Sequence, residues 1–167
     1  NKAFERIAEF TEKYDLKDID WQILVSSGQV NHNNATLKNL TAASLTIMSD
    51  DEGKNATLDG RESGSVLSIN SVDFPITLRN LTIQNGKSRI GAGINLQSVS
   101  ALTLENCIVQ KNKAINKTNA DGTTDNANGG GITAKYGELN LIGTTVTENS
   151  SEYNGGGIQI STDATLS

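Results

Sequence analysis

The chain has 167 residues, a formal net charge of −5, 4% aromatic residues, one proline and 16 glycines. This balance excludes a disordered tail, which carries more net charge and lacks regularly spaced aliphatics. No apolar run reaches 18 residues, which excludes a helical membrane span, and a single cysteine, Cys107, excludes an internal disulfide framework.

Ala3, Phe4, Ile7, Phe10 and Tyr14 recur at helical spacing, with Glu5, Glu9, Glu12 and Lys13 between them. The pattern predicts an amphipathic helix over residues 2–14. Its apolar face needs a partner. In a stacked repeat array the first repeat exposes the end of its core, so the helix is expected to cap that end, with a linker helix as the alternative. Residues 1–20 are thus read as capping helix and connector, and residues 21–167 as the repeats.

From Trp21, Ile23 and Val25 onward the period changes to two, as in Leu45-Thr46-Ile47 and Ala56-Thr57-Leu58. His32, the one histidine, is read as a loop residue near a strand. A block of about 26 residues then repeats. Ile76 and Leu78 recur as Leu102 and Leu104, then Leu139 and Leu141; Leu81 and Ile83 recur as Cys107 and Val109, then Thr144 and Val146. Leu67 and Ile69, Ile94 and Leu96, and Ile158 and Ile160 open successive rungs. Three short strands separated by turns make one rung, and only stacking buries its aliphatics. Cys107, in a Leu81-type position, is read as a core thiol.

Gly91-Ala92-Gly93-Ile94 is answered by Gly129-Gly130-Gly131-Ile132 and Gly155-Gly156-Gly157-Ile158. With Val109-Gln110-Lys111-Asn112 and Val146-Thr147-Glu148-Asn149, these blocks resemble the GGAI and FxxN repeats of chlamydial polymorphic outer membrane proteins. Ala56 to Gly60 and Leu81 to Gly86 are similar to segments of right-handed parallel β-helix surface proteins of spirochaetes and other host-associated bacteria. The resemblance implies an all-β, right-handed parallel β-helix, secreted or displayed on a bacterial surface and often acting in adhesion. Here Val109 and Val146 stand where the repeats carry Phe.

Catalysis on such a scaffold needs carboxylates gathered on one outer face. The outward positions are Ser68, Asn95, Thr133 and Gln159 on the first strand, Thr77, Thr103 and Asn140 on the second, and Thr82, Ile108 and Thr145 on the third. None is acidic, so no catalytic residue is assigned. No metal or cofactor is expected either: Asp50, Asp51 and Glu52, and Asp121 with Asp125, match no full calcium-loop motif and read as solvated turns. The Asn-x-Ser/Thr sequons at Asn34, Asn39, Asn55, Asn80, Asn116 and Asn149 follow from composition. Asn80 with Asn106, and Asn112 with Asn149, share repeat positions and are expected to form amide ladders.

Arg79 precedes Glu105 by one repeat, and Lys111 shares its position with Glu148, so each pair is expected to stack with opposite signs. Lys87 and Lys113 coincide with like sign and, beside Arg89, Lys111 and Lys117, are expected to form a basic strip. Without interleaved aromatics the strip does not point to nucleic acid. Residues 115–128 are a polar insertion with no strand pattern, which enlarges one turn. Lys87, Arg89, Lys113, Lys117, Asn119, Asp121 and Asp125 are therefore the candidate binding residues, and the expected partner is a host glycan or a matrix or surface protein. The uncovered aliphatics near Ser167 lead to the expectation of further rungs, or a partner subunit, at that end. Two alternatives stand beside extracellular adhesion: a carbohydrate-active enzyme with catalytic residues outside this segment, and a structural spacer of a surface assembly.

Overall fold

The computed structural model describes residues 2–32, 34–38 and 40–167, except for the side chains of His32 and Thr162. Helix α1 (Lys2–Tyr14) forms where the periodicity predicts it. Ile7 and Thr11 are buried, and Phe4 and Ala8 pack against the core. Phe10 and Tyr14, expected on that same face, are instead exposed and stack on each other with centroids 5.8 Å apart. At about 100° per residue Phe10 falls about 60° beyond Ile7, outside the line of positions 4, 7, 8 and 11, while Tyr14, nearly in line with Ile7, stands in the last turn beyond the residues that dock.

The rest of the chain is strands. The first pass comprises β1 (Asp20–Val25) and β2 (Val30–His32), so His32 ends a strand rather than sitting in a loop. The second comprises β3 (Ala35–Lys38), β4 (Ser44–Ser49) and β5 (Ala56–Asp59). The third adds β6 (Leu67–Asn70), β7 (Ile76–Arg79), β8 (Leu81–Gln84) and β9 (Lys87–Ser88). The fourth holds β10 (Ile94–Leu96), β11 (Ala101–Glu105), β12 (Ile108–Gln110) and β13 (Lys113–Ala114). After β14 (Lys117–Thr118) and β15 (Thr124–Asp125) come the long β16 (Ile132–Ile142), β17 (Thr145–Thr147), β18 (Ser150–Ser151) and β19 (Ile158–Leu166).

Equivalent strands of successive passes pair in parallel. A nine-stranded sheet gathers the first two columns, joined through β16; β17-β12-β8-β5-β2 and β18-β13-β9 form two further parallel sheets. The registers are those of the aliphatic repeat: Trp21 lies on Leu45, Leu45 on Ile76, Ile76 on Leu102 and Leu102 on Leu139. A one-residue slip would turn every such rank outward, so the alternation itself specifies register. Leu45, Ile76, Leu102 and Leu139 are essentially inaccessible to solvent. Each such burial contributes about 1.5–3 kcal/mol.

What bends the chain between columns is a set of residues with positive φ at repeating positions. Asn80, Asn106 and Gly143 (φ 52°, 51° and 57°) turn the second strand into the third; Asn85, Lys111 and Glu148 (56°, 55° and 51°) turn the third into the short fourth; Gly91, Gly129 and Gly155 (53°, 61° and 60°) precede the first. Left-handed backbone favours Gly and Asn, which explains two of the three sets. The Asn80 and Asn106 position is therefore fixed by backbone conformation. The amide of Asn80 donates to the Glu52 carbonyl at 3.2 Å, and no bond joins it to Asn106, so the expected ladder there is corrected.

At Asn112 the ladder does form. Its Nδ2 donates to Asn149 Oδ1 at 2.9 Å, and its Oδ1 accepts from Gly86 N at 2.8 Å. Gly86, which occupies the same repeat position one pass earlier, has no room for a side chain: a Cβ there would stand 1.8 Å from the Ala92 carbonyl oxygen. The opposite-charge stacks also form, with Arg79 Nε 2.6 Å from Glu105 Oε2 and Lys111 Nζ 3.9 Å from Glu148 Oε2. Thr82 and Thr133, though on outward positions, are buried; Thr133 Oγ1 donates to the Asn128 carbonyl.

Candidate binding surface

The short sheet β9-β13-β18 carries two of the candidate cations, Lys87 on its edge strand and Lys113 on its central one. Lys87 lies in register with Lys113, and Lys113 with Ser150. The like-charged stack is relieved on one side, because Lys87 Nζ stands 3.4 Å from Glu62 Oε2. Within the expected basic strip Lys87 and Lys111 both face carboxylates, and Lys113 and Lys117 are the exposed members without an ion pair among the described residues.

The insertion is not a structureless turn. β14 and β15 pair antiparallel, with Lys117 opposite Asp125 and Thr118 opposite Thr124. The tip closes by hydrogen bonds from Asn119 N to Thr123 O (2.9 Å), Gly122 N to Asn119 O (3.1 Å) and Asn119 Nδ2 to Thr123 Oγ1 (3.1 Å). Asp121 Oδ1 accepts from the Thr123 hydroxyl at 2.6 Å and from its N–H at 2.9 Å, and these bonds, the hydroxyl first, hold the carboxylate below its ordinary pKa. Two polar runs around Asp-Gly make a hairpin even though neither has aliphatic alternation, which is why periodicity missed it.

The hairpin's foot is clamped from both neighbouring passes. Ile115 N donates to Ser88 O, Asn128 N to Arg89 O and Arg89 Nη1 to Asn126 O from one side. From the other, Glu152 Oε2 accepts from Asn116 N at 2.8 Å. Asn116 Oδ1 accepts from Ala127 N, and Ala127 is fully buried. Above this foot Lys117, Asp121 and Asp125 are exposed and Asn119 half-buried; these four belong to the hairpin, Lys87 and Lys113 to the adjoining short sheet, and Arg89 bonds to the hairpin's foot. The surface carries both charge signs and many hydrogen-bonding groups.

Other chemistry-bearing groups are used structurally. Burial pushes the Cys107 thiol up to about 11. Asp50 Oδ1 accepts from Ser27 N and Asp51 Oδ1 from Gly53 N, so these carboxylates brace turns. Among the described residues no three His, Cys, Asp or Glu side chains gather as a metal site, and no helix is long and apolar enough to cross a membrane. The sequon at Asn39 lies outside the described residues.

Two features escaped the sequence reading. Gln110 Nε2 donates to Gln84 Oε1 and Gln84 Nε2 to Asp59 Oδ2, a polar ladder whose signal was the shared repeat position of Asp59, Gln84 and Gln110. A groove of about 700 Å³ also opens between α1 and β1, flanked by Trp21 and Phe10.

Fold and surface together define a repeat protein of stacked parallel strands that holds a polar hairpin on one edge. Compared with protein-family models, with curated proteins and with solved structures, the chain has no significant match.

Proposed function

We propose that the chain is a right-handed parallel β-helix that serves as a non-catalytic, extracellular or surface-displayed adhesion module, recognising a host glycan or matrix protein through the hairpin and the adjoining lysines. Parallel in-register pairing across passes supports the solenoid, and right-handed crossovers are the rule between parallel strands. The resemblance to polymorphic outer membrane protein repeats supports display on a bacterial surface. The observation that carries the reading is the hairpin itself. Its foot is hydrogen-bonded to the passes on either side while its tip is open to solvent, and recognition elements are commonly loops held by rigid scaffolds.

The test is binding on a glycan and matrix-protein array, with pectin and alginate supplied as turnover substrates. Saturable binding without turnover, lost when Lys87, Arg89, Lys113 and Lys117 are replaced by Ala, is the expected result. Glycosaminoglycan binding unchanged by those replacements would overturn the cationic surface as the site. Turnover would favour the carbohydrate-active enzyme, and silence the structural spacer.

A further inference from the structure

The groove between α1 and β1 is where two core ranks stop. Leu45 underlies Trp21 and Ile47 underlies Ile23 in parallel register, and both aliphatics are buried. Above Trp21 and Ile23 no strand of the described residues lies, since β1 ends its sheet, and both side chains stay partly exposed. The helix covers the gap only in part, with Ile7 buried and Ala3 and Phe4 set against Ile23, Val25 and Ile47 on the inner side. Its Phe4 and Ala8 lie beside Leu37 and Leu40, while Ala3, Ile7 and Phe10 form the far wall of the groove.

β1 is also an open edge. The carbonyls of Ile19 and Val25 accept from Ala43 N (3.0 Å) and Asp50 N (2.9 Å), on the β4 side. Backbone groups alternate sides along a strand, so the N–H and C=O groups of Gln22 and Leu24 face away from β4. A further group is unsatisfied at this place: Trp21 Nε1 is buried without an acceptor among the described residues.

We propose that this groove binds an extended segment of another polypeptide, which adds to the edge of β1 and lays two apolar side chains on Trp21 and Ile23. The register sets the pattern. Trp21 and Ile23 are two residues apart, as are Leu45 and Ile47 beneath them, so the added strand carries apolar-x-apolar. The edge selects a polypeptide, because alternating N–H and C=O groups at strand spacing are matched along their length by another backbone. Lys2, Arg6, Glu5 and Glu9 give the rim both charge signs, so side-chain pattern rather than net charge selects the segment.

Trp21 is the one tryptophan of the chain, and its emission reports on the groove directly. The probe is a synthetic peptide of the β4 sequence, Ser-Leu-Thr-Ile-Met-Ser, which pairs with the other edge of β1 in the fold. A saturable shift of Trp21 emission is expected, weakened by roughly tenfold or more when alternate peptide nitrogens are methylated or when Leu and Ile are replaced by Asp. Gln22→Pro removes a donor on the open edge and leaves the β4 side intact, and Phe10→Glu alters the far wall; each should weaken binding to a similar degree with the circular dichroism unchanged. Emission unmoved by the parent peptide, an equal response to the methylated peptide, or full binding by a folded Gln22→Pro or Phe10→Glu variant would each overturn the proposal.

Discussion

Asn112 and Asn149 are joined amide to amide across one pass: Asn112 Nδ2 donates to Asn149 Oδ1 at 2.9 Å, and that same oxygen accepts from Asn112 N at 3.0 Å. Asn112 Nδ2 also reaches the Ile83 and Gln110 carbonyls, and Asn149 Nδ2 reaches Val109 O. One nearly inaccessible side chain thus satisfies backbone groups of two passes. Asn112→Ala should cost about 2–4 kcal/mol in urea unfolding, because each buried group left without a partner costs about 1–3 kcal/mol. Asn112→Asp should cost at least as much, since a buried carboxylate cannot donate to those carbonyls.

The glycines divide by space rather than by conformation alone. Gly86→Ala should cost about 3 kcal/mol or more, because its Cβ would collide with backbone oxygen. At the hairpin tip, Gly122 has a positive φ but open space around it, with nothing within 4 Å of where a Cβ would stand, so Gly122→Ala should cost only about 1 kcal/mol. Thermal unfolding of the two variants side by side checks the contrast.

Lys111 sits at the corner position that Asn85 holds one pass earlier, in left-handed backbone. Lys111→Asn should stabilise the fold by about 0.5–1 kcal/mol: the corner strain falls, while the lost contact to Glu148, 3.9 Å away between exposed groups, contributes little. A fall in unfolding midpoint would show that the ion pair outweighs the backbone term.

Cys107 is held neutral by burial, and its Sγ donates to the Leu78 and Glu105 carbonyls. Its folded value, about 11, lies above the ordinary 9.0, so its contribution to stability is fully present below pH 9.0 and is lost as pH rises toward 11. The drop in stability across that window should be smaller in Cys107→Ala than in the parent chain. Native protein at pH 8 should react with a maleimide only as fast as it opens.

Excising the hairpin tip between Lys117 and Asp125 should shift stability by less than about 1 kcal/mol, since loop-closure entropy changes slowly with length. Removing the whole insertion is a different matter. Ala127 is buried and Asn116 bonds to both Ala127 and Glu152, so loss of the foot should lower the unfolding midpoint measurably.

The strand columns were legible in the sequence because their signal is local and repeated: Ile76, Leu102 and Leu139 announce one rank by spacing alone, and the parallel register follows it. Arg79 with Glu105, and Asn112 with Asn149, were legible for the same reason. At Asn80 and Asn106 the shared position was visible but its cause was not, since a sequence shows which residue repeats and not the sign of its φ. The candidate surface was read as residues without their pairings. That Glu62 neutralises Lys87 depends on a chain segment 25 residues earlier being folded beside it.

By itself the sequence determined the helix at 2–14, the repeat, the faces of the strands and the place of the insertion, because period and composition act through neighbours along the chain. Only the tertiary structure decided which helix face docks, which cations remain free, how the hairpin is clamped and where the edge of β1 lies open beside Trp21. Those depend on groups brought together from distant passes, and the side-chain pattern carries no record of which backbone edges find a partner.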